Sequence, residues 1–377
     1  MSDKKCLSPE DICAHYGEDY SQHFGAMSPP IYQTSLFLDG NAYTYSRAGN
    51  PTLEVFEKKV AALEHADMAL VYTSGLAAIT SAIFSNVKAG DHIICVHSVY
   101  GPARGYMRWL ERFGITCTFV DGAKLSDFEE ALTPSTRLIY LESPSSGIFA
   151  LLDLPAVSAF AKAHNCVTVI DNTYSTPIFQ QPLYLGVDLV VHSASKYFGG
   201  HSDAVAGVIA GRGEMIRRIS GERCMLGNAA PPMLAWLLQR GIRTLPIRMK
   251  EAFQRALTVA KYLEAHPMVE KVYYPALESH PQHDLYLKQM TGCGGLMSFK
   301  PRGSYESRAE MVKRFQVFKQ APSWGGYDSL VYPLGALSEP DDECKAALDG
   351  GVIRLYVGLE DVDTLIADLE QALSVLR

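Results

Sequence analysis

Lys196 lies in the stretch His192-Ser193-Ala194-Ser195-Lys196-Tyr197, after the apolar run 187–191 and before Gly199-Gly200-His201. A lysine between small hydroxyl residues and glycines at the end of a strand is badly placed for bulk solvent or for a core. It is well placed to form a Schiff base with an aldehyde cofactor that carries a phosphate. A free lysine has a pKa of about 10.4, so a reactive one must be perturbed or held as an imine. Upstream, Val167-Thr168-Val169-Ile170 ends in Asp171. An acid at a strand end is the partner a pyridinium nitrogen needs. Together these residues predict a site for pyridoxal phosphate (PLP).

Other residues extend this chemistry. Ser74-Gly75-Leu76 joins a strand-like run to a helical one. Helix N-termini present unpaired N–H groups that bind phosphate, and Gly75 admits a close backbone approach. Ser74 can equally be a plain N-cap. Ser193 and Ser195 can add hydroxyl bonds to the same phosphate. Tyr100, in Ser98-Val99-Tyr100-Gly101-Pro102, can stack on the cofactor and move a proton. Two readings stand for Arg47 in the N-terminal segment: a two-pronged phosphate clamp, or a solvated arm. Arg354 is a charge inside the apolar run 352–357 and needs a partner, either a substrate carboxylate or an internal salt bridge. The carboxylate is the preferred reading. His192 and His201 lack metal-ligand spacing, so they read as structural and no metal is expected.

These residues must be positioned by a scaffold. Apolar runs at 69–72, 92–96, 116–120, 138–141, 167–170 and 189–191 read as strands, and 205–210 as one more, antiparallel. Helical patterns fall at 52–65, 76–84, 102–113, 126–132 and 155–164. Continuous apolar strands separated by helices predict an α/β, mostly parallel sheet covered on both faces. Ligands sit outside the carboxyl ends of such strands, where Ser74, His97-Ser98, Glu142, Asp171 and Ser193 all fall. Beyond residue 240 the pattern changes to a long helix over 249–266, strands at 296–299 and 352–357, and a helix over 361–376. The expected organisation is an irregular arm over 1–50, a cofactor-binding α/β domain over 51–245 and a smaller α+β domain over 246–377.

Composition fits this picture. A chain of 377 residues with 47% hydrophobic and 20% charged residues exceeds one core. Its net charge of −7 argues against nucleic acid or an anionic membrane as partner. No apolar run is long enough to span a bilayer, and the polar N-terminus predicts no signal peptide. Eight scattered cysteines, none in a Cys-x-x-Cys pair, read as free thiols of a cytoplasmic protein.

The segments 45–52 (YSRAGNPT), 74–79 (SGLAAI), 170–174 (IDNTY), 192–203 (HSASKYFGGHSD) and 354–369 (RLYVGLEDVDTLIADL) resemble, in order, the motifs of the Cys/Met-metabolism family of fold-type I PLP enzymes. The resemblance implies that Lys196 is both Schiff-base lysine and Cα base. It implies that Asp171 pairs with the ring nitrogen and Tyr100 stacks on the ring. Gly75, Leu76, Ser193 and Ser195 would hold the phosphate. Tyr45 and Arg47 would reach the phosphate of a neighbouring subunit, with Tyr45 also near substrate. Ser323, Trp324 and Arg354 would hold the substrate carboxylate. A homotetramer of dimers with shared sites, acting on a small sulfur amino acid, is implied.

Within the family, Tyr100-Gly101-Pro102, the run 141–146 (LESPSS) and the run 323–330 (SWGGYDSL) resemble the cystathionine β-lyase branch, which forms homocysteine, pyruvate and ammonia by β-elimination. The alternatives are a γ-acting relative (cystathionine γ-lyase, cystathionine γ-synthase or methionine γ-lyase) and a PLP-binding regulator without turnover. One departure concerns the distal end of the substrate. Gly105 stands where relatives carry an acid or an arginine, and Arg104 is offset by one residue.

Overall fold

The apolar runs of the first half lie side by side in one sheet. The computed structural model describes residues 7–334 and 352–376; Cys6 and Cys344 fall outside them. Among the described residues, the strands of the larger sheet are β1 (Met68–Tyr72), β2 (His92–Val96), β3 (Thr116–Val120), β4 (Thr136–Glu142), β5 (Val167–Asp171), β6 (Leu189–His192) and β7 (Gly207–Gly211). Their order is β1-β7-β6-β5-β4-β2-β3. Every pairing among β6, β5, β4, β2 and β3 is parallel, and β7 runs antiparallel to both its neighbours. β1 therefore points the same way as β6, and the carboxyl ends of β1 to β6 share one edge. The antiparallel strand expected at 205–210 is β7.

Strands β2, β6 and β7 are buried along their whole length, which accounts for sequences that are apolar apart from a terminal histidine in β2 and β6. Helix Gly75–Phe84 packs on β6 and β7 and buries Ala78, Ile79, Ala82 and Ile83. Helix Pro51–Leu63 covers β1 from the other side and starts at an Asn50 cap with Pro51 in its first turn.

The smaller sheet has the order β10-β11-β12-β9-β8, from β8 (Val269–Tyr273), β9 (Leu296–Pro301), β10 (Lys319–Gln320), β11 (Leu330–Leu334) and β12 (Val352–Tyr356). Helices Leu245–Ala265 and Val362–Leu373 pack on each other, and the former also lies against β8 and β9. The junction expected at 245/246 falls inside the first turn of helix Leu245–Ala265. One continuous core crosses it, including Phe56, Leu245, Met249, Leu263, Phe299, Leu355 and Leu369.

Three sequence expectations need correction. The segment 1–50 is not irregular throughout. A Ser8/Asp11 capping box opens helix Pro9–His15, which buries Ile12 and Cys13. The following Glu18 carboxylate is buried at 3.0 Å from both Lys59 Nζ and Arg243 Nη2. Among the described residues of this segment, the later part is the exposed arm, with Phe24, Met27, Leu36 and Leu38 facing outward. The long helix starts at Leu245 rather than at 249, because Pro246 sits in its first turn where proline is tolerated. The stretch 212–244, left without elements by periodicity, holds helices Gly213–Leu226 and Pro232–Ile242. Charges at Glu214, Arg217, Arg218, Glu222 and Arg223 break the apolar stripe of the first, and Arg223 is itself buried against Glu57 and the Val71 carbonyl.

Candidate active site

Lys196 lies in a tight loop after β6, fixed by bonds from Lys196 N–H to the Ser193 carbonyl (3.1 Å), Gly199 N–H to the Ala194 carbonyl (2.9 Å) and Gly200 N–H to the Lys196 carbonyl (2.7 Å). Phe198 anchors the loop in the core, edge-on to Phe56 at 5.9 Å. The half-buried Arg248 guanidinium donates to the carbonyls of Tyr197 and Gly241, each at 2.7 Å, and to Thr244 Oγ1 at 3.0 Å. A backbone so clamped holds the lysine side chain in one direction.

The Lys196 amine donates to Ser323 Oγ at 2.8 Å and stands 5.4 Å from the Trp324 ring centroid. Burial, and then the nearby Arg354 charge, push its pKa down to about 8. Gly325, at φ +86°, packs directly on the lysine backbone. The site thus draws together β6 of the large sheet, the 323–325 turn and β12 of the small one. Arg354 lies on β12 with its guanidinium 5.5 Å from the Tyr332 ring, and burial lowers its pKa to about 10. Among the described residues it has no ion-pair partner. No internal salt bridge to it is seen among the described residues.

Asp171 ends β5, buried, and accepts hydrogen bonds from the Thr173 N–H (3.0 Å) and the Thr173 hydroxyl. Burial raises its pKa, while the Thr173 bonds and His192 oppose that rise. Its cross-strand partner is Glu142, at the end of β4. Glu142 Oε2 accepts the Tyr100 N–H at 2.8 Å. Tyr100 is half exposed at the start of helix Gly101–Trp109, and burial, Asp171 and Glu142 all raise its phenol pKa.

Ser74 caps helix Gly75–Phe84 by accepting the Ala77 N–H at 3.0 Å, so its side chain takes the N-cap reading. The Gly75 and Leu76 N–H groups precede the first helical bond. A Cβ on Gly75 would fall 2.8 Å from Ser193 Oγ, so only glycine leaves this pocket of backbone open. The Ser195 hydroxyl is engaged with Ala206, accepting its N–H (2.9 Å) and donating to its carbonyl (3.1 Å). Tyr45 and Arg47 are not drawn in. They lie on the exposed arm, with the Arg47 guanidinium 4.9 Å from the Tyr45 ring.

Sequence reasoning passed over several residues of this site. Glu142 carries the same signal as Asp171, an acid closing an apolar strand, and was grouped only with the strand ends. Gly325 and Arg248 gave no signal, because their importance is a three-dimensional approach. His192 Nε2 lies 2.6 Å from Glu64 Oε1, both groups buried. His201 Nδ1 bonds the Gly199 carbonyl at 2.7 Å.

An open helix N-terminus lined by Ser193, a buried acid, an aromatic ring and an amine of lowered pKa match the phosphate, ring nitrogen, ring face and aldehyde of PLP. The model of the family described as Cys/Met metabolism PLP-dependent enzyme matches residues 10–374. The chain belongs to this family. Its similar proteins include the L-methionine gamma-lyase of Treponema denticola, 39% identical over 375 residues that cover 94% of each chain. The L-methionine gamma-lyase of Pseudomonas putida is 37% identical over 95% of each chain. The cystathionine gamma-lyase of Homo sapiens is 38% identical over 95% of this chain and 92% of that one. The protein is a PLP-dependent carbon–sulfur lyase of fold type I. These relatives favour the γ-acting alternative over the β-lyase branch to which the segments at Tyr100, Glu142 and Ser323 point. Among the described residues, no helix is long and apolar enough to cross a membrane, and no group of three metal-ligating side chains converges.

Proposed function

We propose that the protein removes a thiol from the γ-carbon of a sulfur amino acid, taking a γ-thioether and water to a thiol, 2-oxobutyrate and ammonia. The observation that carries this reading is the Lys196 amine, pushed down to about 8 and hydrogen-bonded to Ser323 Oγ beside Arg354, which has no ion-pair partner among the described residues. The γ-lyase names of the relatives support the position of cleavage.

PLP, when bound, supplies an electron sink for charge developing at Cα. Gly75, Leu76 and Ser193 would hold its phosphate, with Ser195 shaping the loop through Ala206. Asp171 would hold its ring nitrogen, and Tyr100 would face the ring. Arg354, Ser323 and Trp324 would hold the substrate carboxylate, the Trp324 ring centroid lying 5.4 Å from the lysine amine. An amine with a pKa of about 8 is present in both its neutral and its protonated form near that pH, so it can remove a proton and return one at a neighbouring carbon, which γ-elimination needs and β-elimination does not. The Tyr100 hydroxyl, held protonated by its raised pKa, is a proton source for the leaving thiolate.

A second reading is β-elimination. It is favoured by Trp324, which brings the run resembling β-lyases against Lys196. The holoenzyme is incubated with methionine, cystathionine and cystine, and the keto acids are identified. The γ-reading expects 2-oxobutyrate from methionine or cystathionine; pyruvate alone would replace it with the β-reading. The full reading includes a cytoplasmic homotetramer with sites shared between subunits and the division of the chain at residues 50 and 245. The exposed arm carrying Tyr45 and Arg47 supports the shared site.

A further inference from the structure

Two carboxyl groups end neighbouring parallel strands at the site. Glu142 and Asp171 are register partners, so their side chains leave the sheet on the same face. Both are buried. Glu142 is not idle packing. Its Oε2 accepts the Tyr100 N–H at 2.8 Å, and its Oε1 accepts the Ser146 hydroxyl at 2.5 Å. Ser146 N–H in turn donates to the Ser98 carbonyl at 3.0 Å, closing a loop around the backbone that carries Tyr100.

We propose that Glu142 is a positioning residue that couples the seating of Tyr100 to the charge on Asp171. The proposal rests on the reading of Asp171 as the cofactor's acid.

Two like charges in a low-dielectric pocket do not both ionise cheaply, so such a pair titrates as a unit. Burial, and next the Asp171 charge, push the Glu142 carboxyl up to about 8. The surroundings bias the charge towards Asp171. His192 on β6 and the two Thr173 bonds favour its ionised form. Tyr140 on β4 and Cys95 on β2 face Glu142 and are held protonated by burial. Tyr100 itself is raised by both carboxylates, and the Arg104 charge from helix Gly101–Trp109 reaches Cys95. A cation brought to Asp171 therefore favours the ionised Asp171 and leaves Glu142 protonated. A neutral Glu142 still accepts the Tyr100 N–H through its carbonyl oxygen.

Glu142→Gln and Glu142→Ala separate the two halves of the proposal. Gln mimics the neutral acid: its carbonyl accepts from Tyr100 and its amide donates to Ser146. Ala removes both bonds. A carboxyl whose folded pKa lies above its unfolded value holds a proton that the unfolded chain has released. Stability then falls as pH rises from about 4.5 to about 8.

The melting temperature of the apoprotein is measured from about pH 5 to about pH 8.5 in all three proteins. The expected result is a wild-type melting temperature that falls with pH relative to that of E142Q, since the other titrating groups are common to both. PLP affinity and the pH dependence of the visible absorbance band are measured on reconstituted protein. E142Q should keep wild-type affinity within about threefold and alter the pH dependence of the band, whereas E142A should lose about tenfold or more in affinity, on the scale of one charge-assisted hydrogen bond. Parallel melting slopes in wild type and E142Q, or equal PLP affinities in E142Q and E142A, would overturn the coupling. A wild-type chain that takes up no PLP would overturn the reading of Asp171 instead, and the proposal with it.

Discussion

Gly325 and Lys196 pack backbone against backbone. A Cβ added to Gly325 would stand 2.8 Å from the lysine Cβ and 2.9 Å from its Cα, and Gly325 has φ +86°. Either fact alone requires glycine there. The contact fixes how the 323–325 turn meets the lysine loop, with Ser323 two residues upstream and Trp324 one. Gly325→Ala is therefore expected to displace the 323–324 turn rather than unfold the protein. A displacement on the order of 1 Å costs about a hundredfold in turnover. Steady-state kinetics of the holoenzyme, with a melting curve as control, read this out. Wild-type kcat/KM in the variant would refute it.

The Lys196 amine should leave a mark on the apoprotein without any substrate. Its pKa is pushed down to about 8, whereas a lysine of the unfolded chain titrates near 10.4. Between those values the unfolded chain carries a proton that the folded chain lacks. Burying the charged amine thus costs most below pH 8, and stability contributed by this group rises with pH up to about 10.4. Lys196→Met removes the group. Lys59 is also pushed down, by burial first, and contributes the same slope to both proteins. The difference between their melting-temperature profiles isolates Lys196. It should be positive at pH 7 in favour of the variant and shrink towards pH 10. Profiles that stay parallel would contradict the lowered pKa.

Much of this site is readable in the chain because its parts are local. Lys196, Asp171 and Gly75 each follow an apolar strand, and strand ends meet at one edge of a parallel sheet. The remaining contacts are long-range. Arg248 reaches the lysine loop from a helix fifty residues on, and its sequence context is that of any helical arginine. Gly325 stands in a glycine-rich turn that gives no hint of the surface it touches. Helix Gly213–Leu226 was missed because Arg223, a buried cation, occupies a position where a period search expects an apolar residue. Tyr45 and Arg47 carry the opposite lesson. Their motif is clear in sequence, yet a single chain leaves them exposed.

Arg354 is a cation within a mostly apolar strand, without an ion-pair partner among the described residues. If it receives the substrate carboxylate, Arg354→Ala removes a charge-assisted interaction worth about 1.5–3 kcal/mol. KM for methionine or cystathionine should rise about tenfold to a hundredfold, with kcat less affected. The apoprotein should lose little stability, since the variant gives up only the contact with Tyr332, about 0.5–1 kcal/mol, and a buried charge disappears. A substrate amide, lacking the carboxylate, should bind wild type and variant alike. An unchanged KM for the free acid would assign the guanidinium a structural role.

Whether the arm completes a neighbour's site can be decided by complementation. Arg47→Ala and Lys196→Ala should each be inactive or nearly so as pure proteins, the first for want of a phosphate contact and the second for want of its amine. In a mixed dimer the Arg47→Ala chain supplies an intact Lys196 loop, and the Lys196→Ala chain supplies an intact arm. One of the two sites is then whole. Co-refolding equal amounts should pair half the chains in this way and restore about a quarter of wild-type activity. If each site were built from one chain, both sites of every mixed dimer would still carry a defect, and mixing would give only the average of the two variants. The recovery should also vanish when the two variants are refolded apart and assayed at once after mixing, because exchange of subunits is what creates the whole site.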